Sequence, residues 1–144
     1  MRDERTAGSD TLGDIARRAL VAAYAPYSGF RVGAALEAAD GRRFAGCNVE
    51  NASYPVTLCA ERVALGSGVA AGGRSFTRLH LCSDAEDPIA PCGMCRQALA
   101  ELAPDIVVVS EGAGGRVRSW HLGELLPDRF ALRPELGARP AEDR

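Results

Sequence analysis

Stretches with helical spacing and stretches with strand spacing alternate along this chain, and that alternation limits it to an α/β fold. "DTLGDIARRALVAAYA" sets Leu12, Ile15, Ala16, Ala19 and Leu20 on one helical face, with Ser9 or Asp10 as the cap. "PYSGF" breaks that helix. "RVGAALEAA" and "RRFAGCNVE" read as two strands joined at Asp40-Gly41, a dipeptide suited to a tight hairpin turn. "TLCAERVALGSGVAAG" reads as a helix weakened by Gly66 and Gly68 and stopped at Gly72-Gly73. "FTRLHLCS" is a strand, "PCGMCRQALAELA" a helix with Pro91 near its start, and "DIVVVS" a buried strand. "GGRVRSW" is a shorter strand and "HLGELL" a short helix. The order α-β-β-α-β-α-β-β-α predicts a three-layer α/β/α sandwich over a mixed sheet of about five strands. The hairpin makes the first pair antiparallel, and helical crossovers favour parallel neighbours later.

A chain of 144 residues suggests one domain over 1–144, with frayed ends expected at 1–9 and 137–144. Apolar residues are 47% and charged residues 25%, and the formal net charge is −2. That balance offers no electrostatic footprint for nucleic acid. No apolar run approaches the ~20 residues that span a bilayer, so no membrane partner is expected. "MRDERTAGSDTLGD" is too polar for a signal peptide, which points to the cytoplasm and reduced thiols. Five cysteines are an odd count for a disulfide framework, so metal binding or catalysis is the better reading of the paired ones.

Cys92 and Cys95 stand three residues apart in a first helical turn, where both thiols can share one side. Such a pair serves zinc or redox chemistry. Cys59 also opens a helix after a loop. Three thiolates would leave one of zinc's four positions open, the layout of a catalytic site. Glu61 is two residues beyond Cys59, so at a helix start its carboxylate can stand beside a metal without ligating it. Such a group is what water activation needs; the plainer reading is an acid placed by the helix dipole. Arg62 falls on the Cys59 side of the helix, either to balance thiolate charge or as a solvated surface arginine paired with an acid. On a strand, Asn48 and Glu50 would share one face, as a ligand rim or a solvated strand end, with Val49 turned to the core. Phe30 and Tyr54 line a pocket or belong to the core. Cys47 and Cys82 read as small buried hydrophobes.

Cys-Ala-Glu followed by Pro-Cys-x-x-Cys resembles the three-cysteine zinc deaminase pattern. "PYSGFRVGAAL", "GCNVENASYPVTLCAER", "PCGMCRQ" and "LLPDRF" are similar, in order, to the small homotetrameric cytidine deaminases of nucleoside salvage. The resemblance runs from about Ala25 to Phe130. It implies zinc on Cys59, Cys92 and Cys95, with Glu61 as proton shuttle. It also implies cytidine and 2′-deoxycytidine as substrates and no organic cofactor. Asn48 and Glu50 would hold the ribose, and Phe30, Val49, Tyr54 and Ala60 would surround the nucleoside. Phe130 would complete a neighbouring subunit's site. Thr57, Met94 and the ending "FALRPEL" depart from the usual pattern. Competing readings are a deaminase of another aminopyrimidine nucleoside of the blasticidin type, a polynucleotide-editing deaminase, and a non-enzymatic zinc or thiol module.

Overall fold

The structure, a computed structural model, describes residues 10–133. The ends expected to fray, 1–9 and 137–144, and the candidate cap Ser9 lie outside the described residues. Helix α1 spans Leu12–Val21 and strands β1 and β2 span Val32–Ala38 and Arg43–Cys47. A 3-10 turn, Tyr54–Val56, leads to helix α2, Ala60–Ala70, and strand β3, Phe76–Ser83. Helix α3 is Gly93–Leu102, followed by β4 at Val107–Glu111, β5 at Val117–His121 and the short α4 at Leu122–Leu125.

The five strands form one mixed sheet in the order β2-β1-β3-β4-β5. β1 is antiparallel to both β2 and β3, β3 is parallel to β4, and β4 is antiparallel to β5. Each helical crossover therefore joins two strands of the same direction: α2 carries β2 to β3 past β1, and α3 carries β3 to its neighbour β4. The expected hairpin is present. Gly41 has φ +87, which an L side chain rarely adopts, and its N–H donates to the Ala38 carbonyl at 2.9 Å.

The strand period of two divides the core between the faces. Val32, Ala34, Leu36, Leu79 and Leu81 pack with Ala60, Ala64 and Leu99 from α2 and α3. Ala35 and Cys82 pack on the other face against Leu12 and Ala16 of α1. This is the predicted three-layer sandwich. Two glycines set how closely the helices lie. A Cβ on Gly33 would stand 2.0 Å from the Ala16 carbonyl oxygen, and one on Gly46 would stand 2.3 Å from that of Ala60. The α2 start is thus seated directly on β2 backbone.

Three expectations change. The α1 cap is Thr11, in a reciprocal box with Asp14, because Thr11 Oγ1 accepts from the Asp14 N–H while the Asp14 carboxylate takes the Thr11 N–H. Strand β2 stops at Cys47 rather than running to Glu50. Val49 is not core: it bridges Tyr24 and Leu58 outside the sheet and is 39% exposed. Among the described residues no helix is long and apolar enough to cross a membrane.

Candidate active site

Cys59 and Cys92 are the N-cap residues of α2 and α3, and neither side chain caps its helix. The two thiols instead meet off the helix ends, 3.8 Å apart, and Cys92 Sγ lies 3.5 Å from Cys95 Sγ. All three sulfurs lie within 4.8 Å of one another. Tetrahedral zinc with ~2.3 Å bonds sets its sulfurs about 3.8 Å apart, so the cluster fits that ion with little adjustment. The electrostatics agree. Hydrogen bonding from Cys95, then from Arg62 and Cys92, pulls the Cys59 thiol down to about 5. The hydrogen bond that Cys95 gives to Cys59, followed by burial and the Glu61 charge, pushes the Cys95 thiol far up. Three crowded thiols cannot all ionise unless a cation joins them.

Glu61 lies in the first turn of α2 and is only 4% exposed. Burial, and then the Cys59 charge, raises its pKa above the ordinary carboxylate value. A surface acid placed by the helix dipole would be solvated, and Glu61 is not. A buried carboxyl beside three thiols is the kind of perturbed group that marks a chemical site. Among the described residues Arg62 forms no ion pair with an acid: its Nη2 donates to the Thr57 carbonyl at 3.2 Å and to Cys59 Sγ at 3.6 Å. Its Nε is buried with no partner among the described residues.

The chain around 27–32 is held by the two polar residues after β2. Asn48 Oδ1 accepts from the Val32 N–H at 2.8 Å, and its Nδ2 donates to the Phe30 carbonyl at 2.8 Å. Glu50 Oε1 accepts from the N–H groups of Tyr27 and Ser28, at 2.9 and 3.1 Å. The Ser28 hydroxyl, and then the Ser28 and Tyr27 N–H groups, hold the Glu50 carboxyl below its ordinary pKa. Phe30 and Tyr54 are exposed rather than core, and the Tyr54 ring meets the Tyr27 ring edge-on at 6.2 Å. Ala60 is fully buried at the first position of α2, where helix geometry leaves its N–H without an intrahelical acceptor. Phe130 is 71% exposed, and its backbone is gripped on both sides by Gln97: Nε2 donates to the Phe130 carbonyl at 2.9 Å and Oε1 accepts its N–H at 3.3 Å.

Sequence reasoning gave no role to Arg96 and Gln97, although both stand in "PCGMCRQ". Arg96 Nε donates to the Pro91 carbonyl at 2.7 Å and its Nη1 to the Leu125 carbonyl at 2.9 Å. The pair fastens the second cysteine helix to the C-terminal segment. Two long polar side chains directly after a metal-type Cys pair were the available sign.

Comparison with known proteins agrees with this arrangement. Residues 9–111 match the family model described as the cytidine and deoxycytidylate deaminase zinc-binding region. A cytidine deaminase of Sporosarcina psychrophila is 43% identical over 116 residues, 80% of this chain and 85% of that protein. The crystal structure of a cytidine deaminase from Burkholderia pseudomallei superposes with a TM-score of 0.80 at 51% identity, covering 83% of this chain and 96% of that one. One from Mycobacterium tuberculosis gives 0.73 at 40% identity, over 84% and 95% of the two chains. With its buried glutamate beside three zinc-spaced thiols, the chain belongs to the cytidine deaminase family and is a zinc-binding deaminase.

Proposed function

We propose that this chain hydrolyses cytidine and 2′-deoxycytidine to uridine and 2′-deoxyuridine, releasing ammonia. The observation that carries the reading is Glu61, a buried carboxyl with raised pKa beside Cys59 and Cys95. Zinc, held by Cys59, Cys92 and Cys95, supplies Lewis acidity that makes water acidic near neutral pH. Glu61 takes the water proton and gives it to N3 of the pyrimidine as oxygen adds at C4. It then carries a second proton to the departing amine. The raised pKa suits a group that must both accept and return protons. Arg62 offsets negative charge on sulfur through its contact with Cys59. The N–H of Ala60, which has no intrahelical acceptor, and the Pro91 carbonyl, oriented by Arg96, position the base.

Glu50 and Asn48 bind the ribose while ordering residues 27–32, and Phe30, Val49 and Tyr54 form the rim of the nucleoside site. The residues at that rim leave an apolar surface: Val49 bridges Tyr24 and Leu58, and all three are exposed. That surface favours assembly into a homotetramer with shared sites, in which Phe130, presented by Gln97, reaches a neighbouring subunit. The chain acts as one domain, in the cytoplasm, on a small nucleoside, and its net charge of −2 argues against a polynucleotide substrate.

Ammonia release from cytidine tests the reading. The zinc-loaded protein should turn over cytidine, a chelator should abolish turnover, and added zinc should restore it. Turnover that survives removal of zinc would overturn the proposal. So would inertness toward both cytidines with turnover of a blasticidin-type nucleoside.

A further inference from the structure

His80 and Cys82 are two residues apart on β3, and Cys82 is the register partner of Glu111 on the parallel strand β4. All three side chains therefore emerge on one face of the sheet, the face covered by α1. Glu61 and the three zinc-spaced thiols belong to the opposite layer. On the α1 side, His80 Nε2 is 3.5 Å from Glu111 Oε2, and Cys82 Sγ is 3.9 Å from the same oxygen. One nitrogen, one sulfur and one carboxylate oxygen all lie within 4.8 Å of one another. Zinc-type bond lengths place such a trio about 3.3–3.8 Å apart, so a contraction of less than ~1 Å would close it on an ion.

The imidazole supplies the independent observation. His80 Nε2 is buried and makes no directed hydrogen bond among the described residues. Its ring is fixed from above by α1, since a Cβ on Gly13 would stand 3.1 Å from His80 Cε1. That nitrogen faces the Glu111 carboxylate and the Cys82 thiol together, a grouping that packing alone does not require.

We propose that His80, Cys82 and Glu111 form a second binding site, for a borderline divalent cation of the zinc type, separate from the three-cysteine centre. Access runs through a pocket of about 360 Å³ lined by Thr11, Gly13, Arg17, Arg43, Arg78 and His80. Two of its three arginines have acidic partners, and Arg78 adds positive charge near His80. Arg17 is paired with Asp14 and Glu111, and Arg43 with Glu37. Water from the pocket takes the fourth position. A cysteine ligates as its thiolate, so binding expels the Cys82 thiol proton to solvent as the sulfur–metal bond forms. Arg17 Nη1 lies 2.6 Å from Glu111 Oε2 and is the ion's competitor. It yields the carboxylate readily, because its Nη2 keeps Asp14 at 2.8 Å.

Equilibrium dialysis of the zinc-loaded protein against excess zinc, with metal counted per chain, tests the site. Wild type should rise from one ion to two. Cys82→Ala and His80→Gln should each stay at one while retaining deaminase activity, which shows that they are folded; if one fails to fold, the other decides. Arg17→Met should fill the second site at lower free zinc than wild type. One ion per chain in wild type, or two in both ligand variants, would overturn the proposal. A second ion in Arg17→Met but not in wild type would also overturn it, since the guanidinium would then be this cluster's cation.

Discussion

Gly46→Ala should separate the seating of α2 from the chemistry of its side chains. The new Cβ would stand 2.3 Å from the Ala60 carbonyl oxygen and 2.5 Å from the Ala64 nitrogen. Both are backbone atoms, so no rotamer change relieves the contact. Ordinary van der Waals separation requires the first turn of α2 to retreat by about 1 Å. Overpacking of this kind costs about 1–3 kcal/mol of stability. The functional loss should be larger than that suggests. Cys59 and Glu61 ride on the displaced turn, while Cys92 and Cys95 belong to α3 and stay. A misplacement of ~1 Å at a catalytic constellation can cost about 100-fold in rate. Gly68→Ala is the control on the same helix: its Cβ would meet ring atoms of Phe76 at 2.7 and 2.9 Å, at the far end from the thiols. The Phe76 ring is buried, so its displacement offsets the helix propensity of about 1 kcal/mol that alanine regains, but the strain falls away from the thiols. The assays are urea denaturation of the zinc-loaded protein, metal content and kcat/KM per zinc-loaded chain. Gly46→Ala should lose stability and about two orders of magnitude in kcat/KM, and Gly68→Ala should keep wild-type kcat/KM. Wild-type kcat/KM in folded Gly46→Ala would refute the reasoning.

Glu61→Gln should keep zinc and lose ~10⁴-fold in kcat, since the amide preserves shape but moves no proton; a variant with a tenth of wild-type turnover would remove Glu61 from its role. Arg62→Gln withdraws a donor that favours the Cys59 thiolate, so the Cys59 pKa should rise from about 5. In the zinc-free reduced protein, thiolate absorbance against pH should show that upward move, and zinc uptake should weaken most at acidic pH, where the thiol now holds its proton; an unshifted titration would leave Arg62 as packing. Glu50→Gln should depress kcat/KM for cytidine about 10–100-fold with metal content unchanged, by losing a charge-assisted contact of about 1.5–3 kcal/mol. Free cytosine should be a poor substrate of wild type, and equal turnover of cytosine and cytidine would show that Glu50 reads no ribose.

What the sequence displays well is what rests on local chemistry. Asp40-Gly41 declares its hairpin because few other dipeptides accept the positive φ found at Gly41. Cys59 and Glu61 are separated by one residue, and Cys92 and Cys95 by two, so helix geometry relates the members of each motif before any fold is known. The pattern of apolar residues likewise gave the three layers. Contacts between distant segments were not legible. Asn48 turns its amide to the backbone of Val32 and Phe30, ending β2 early and leaving Val49 outside the core. Gln97 and Phe130 are 33 residues apart and meet only because α3 lies beside the C-terminal segment. Cys82 looked like a lone small hydrophobe, and it is buried. The sheet register adds Glu111 and His80 beside it.

The two uncapped helix starts have a consequence for how the protein becomes complete. A serine or aspartate at the place of Cys59 or Cys92 would each contribute about 1 kcal/mol to its own helix. The chain has thiols there, so α2 and α3 both begin with a local deficit. An ion present at a hundred times its dissociation constant stabilises the folded state by about 2.7 kcal/mol, more than the two caps together forfeit. Loading should therefore raise stability at both helix starts at once, because a single ion ties the two N-cap residues together.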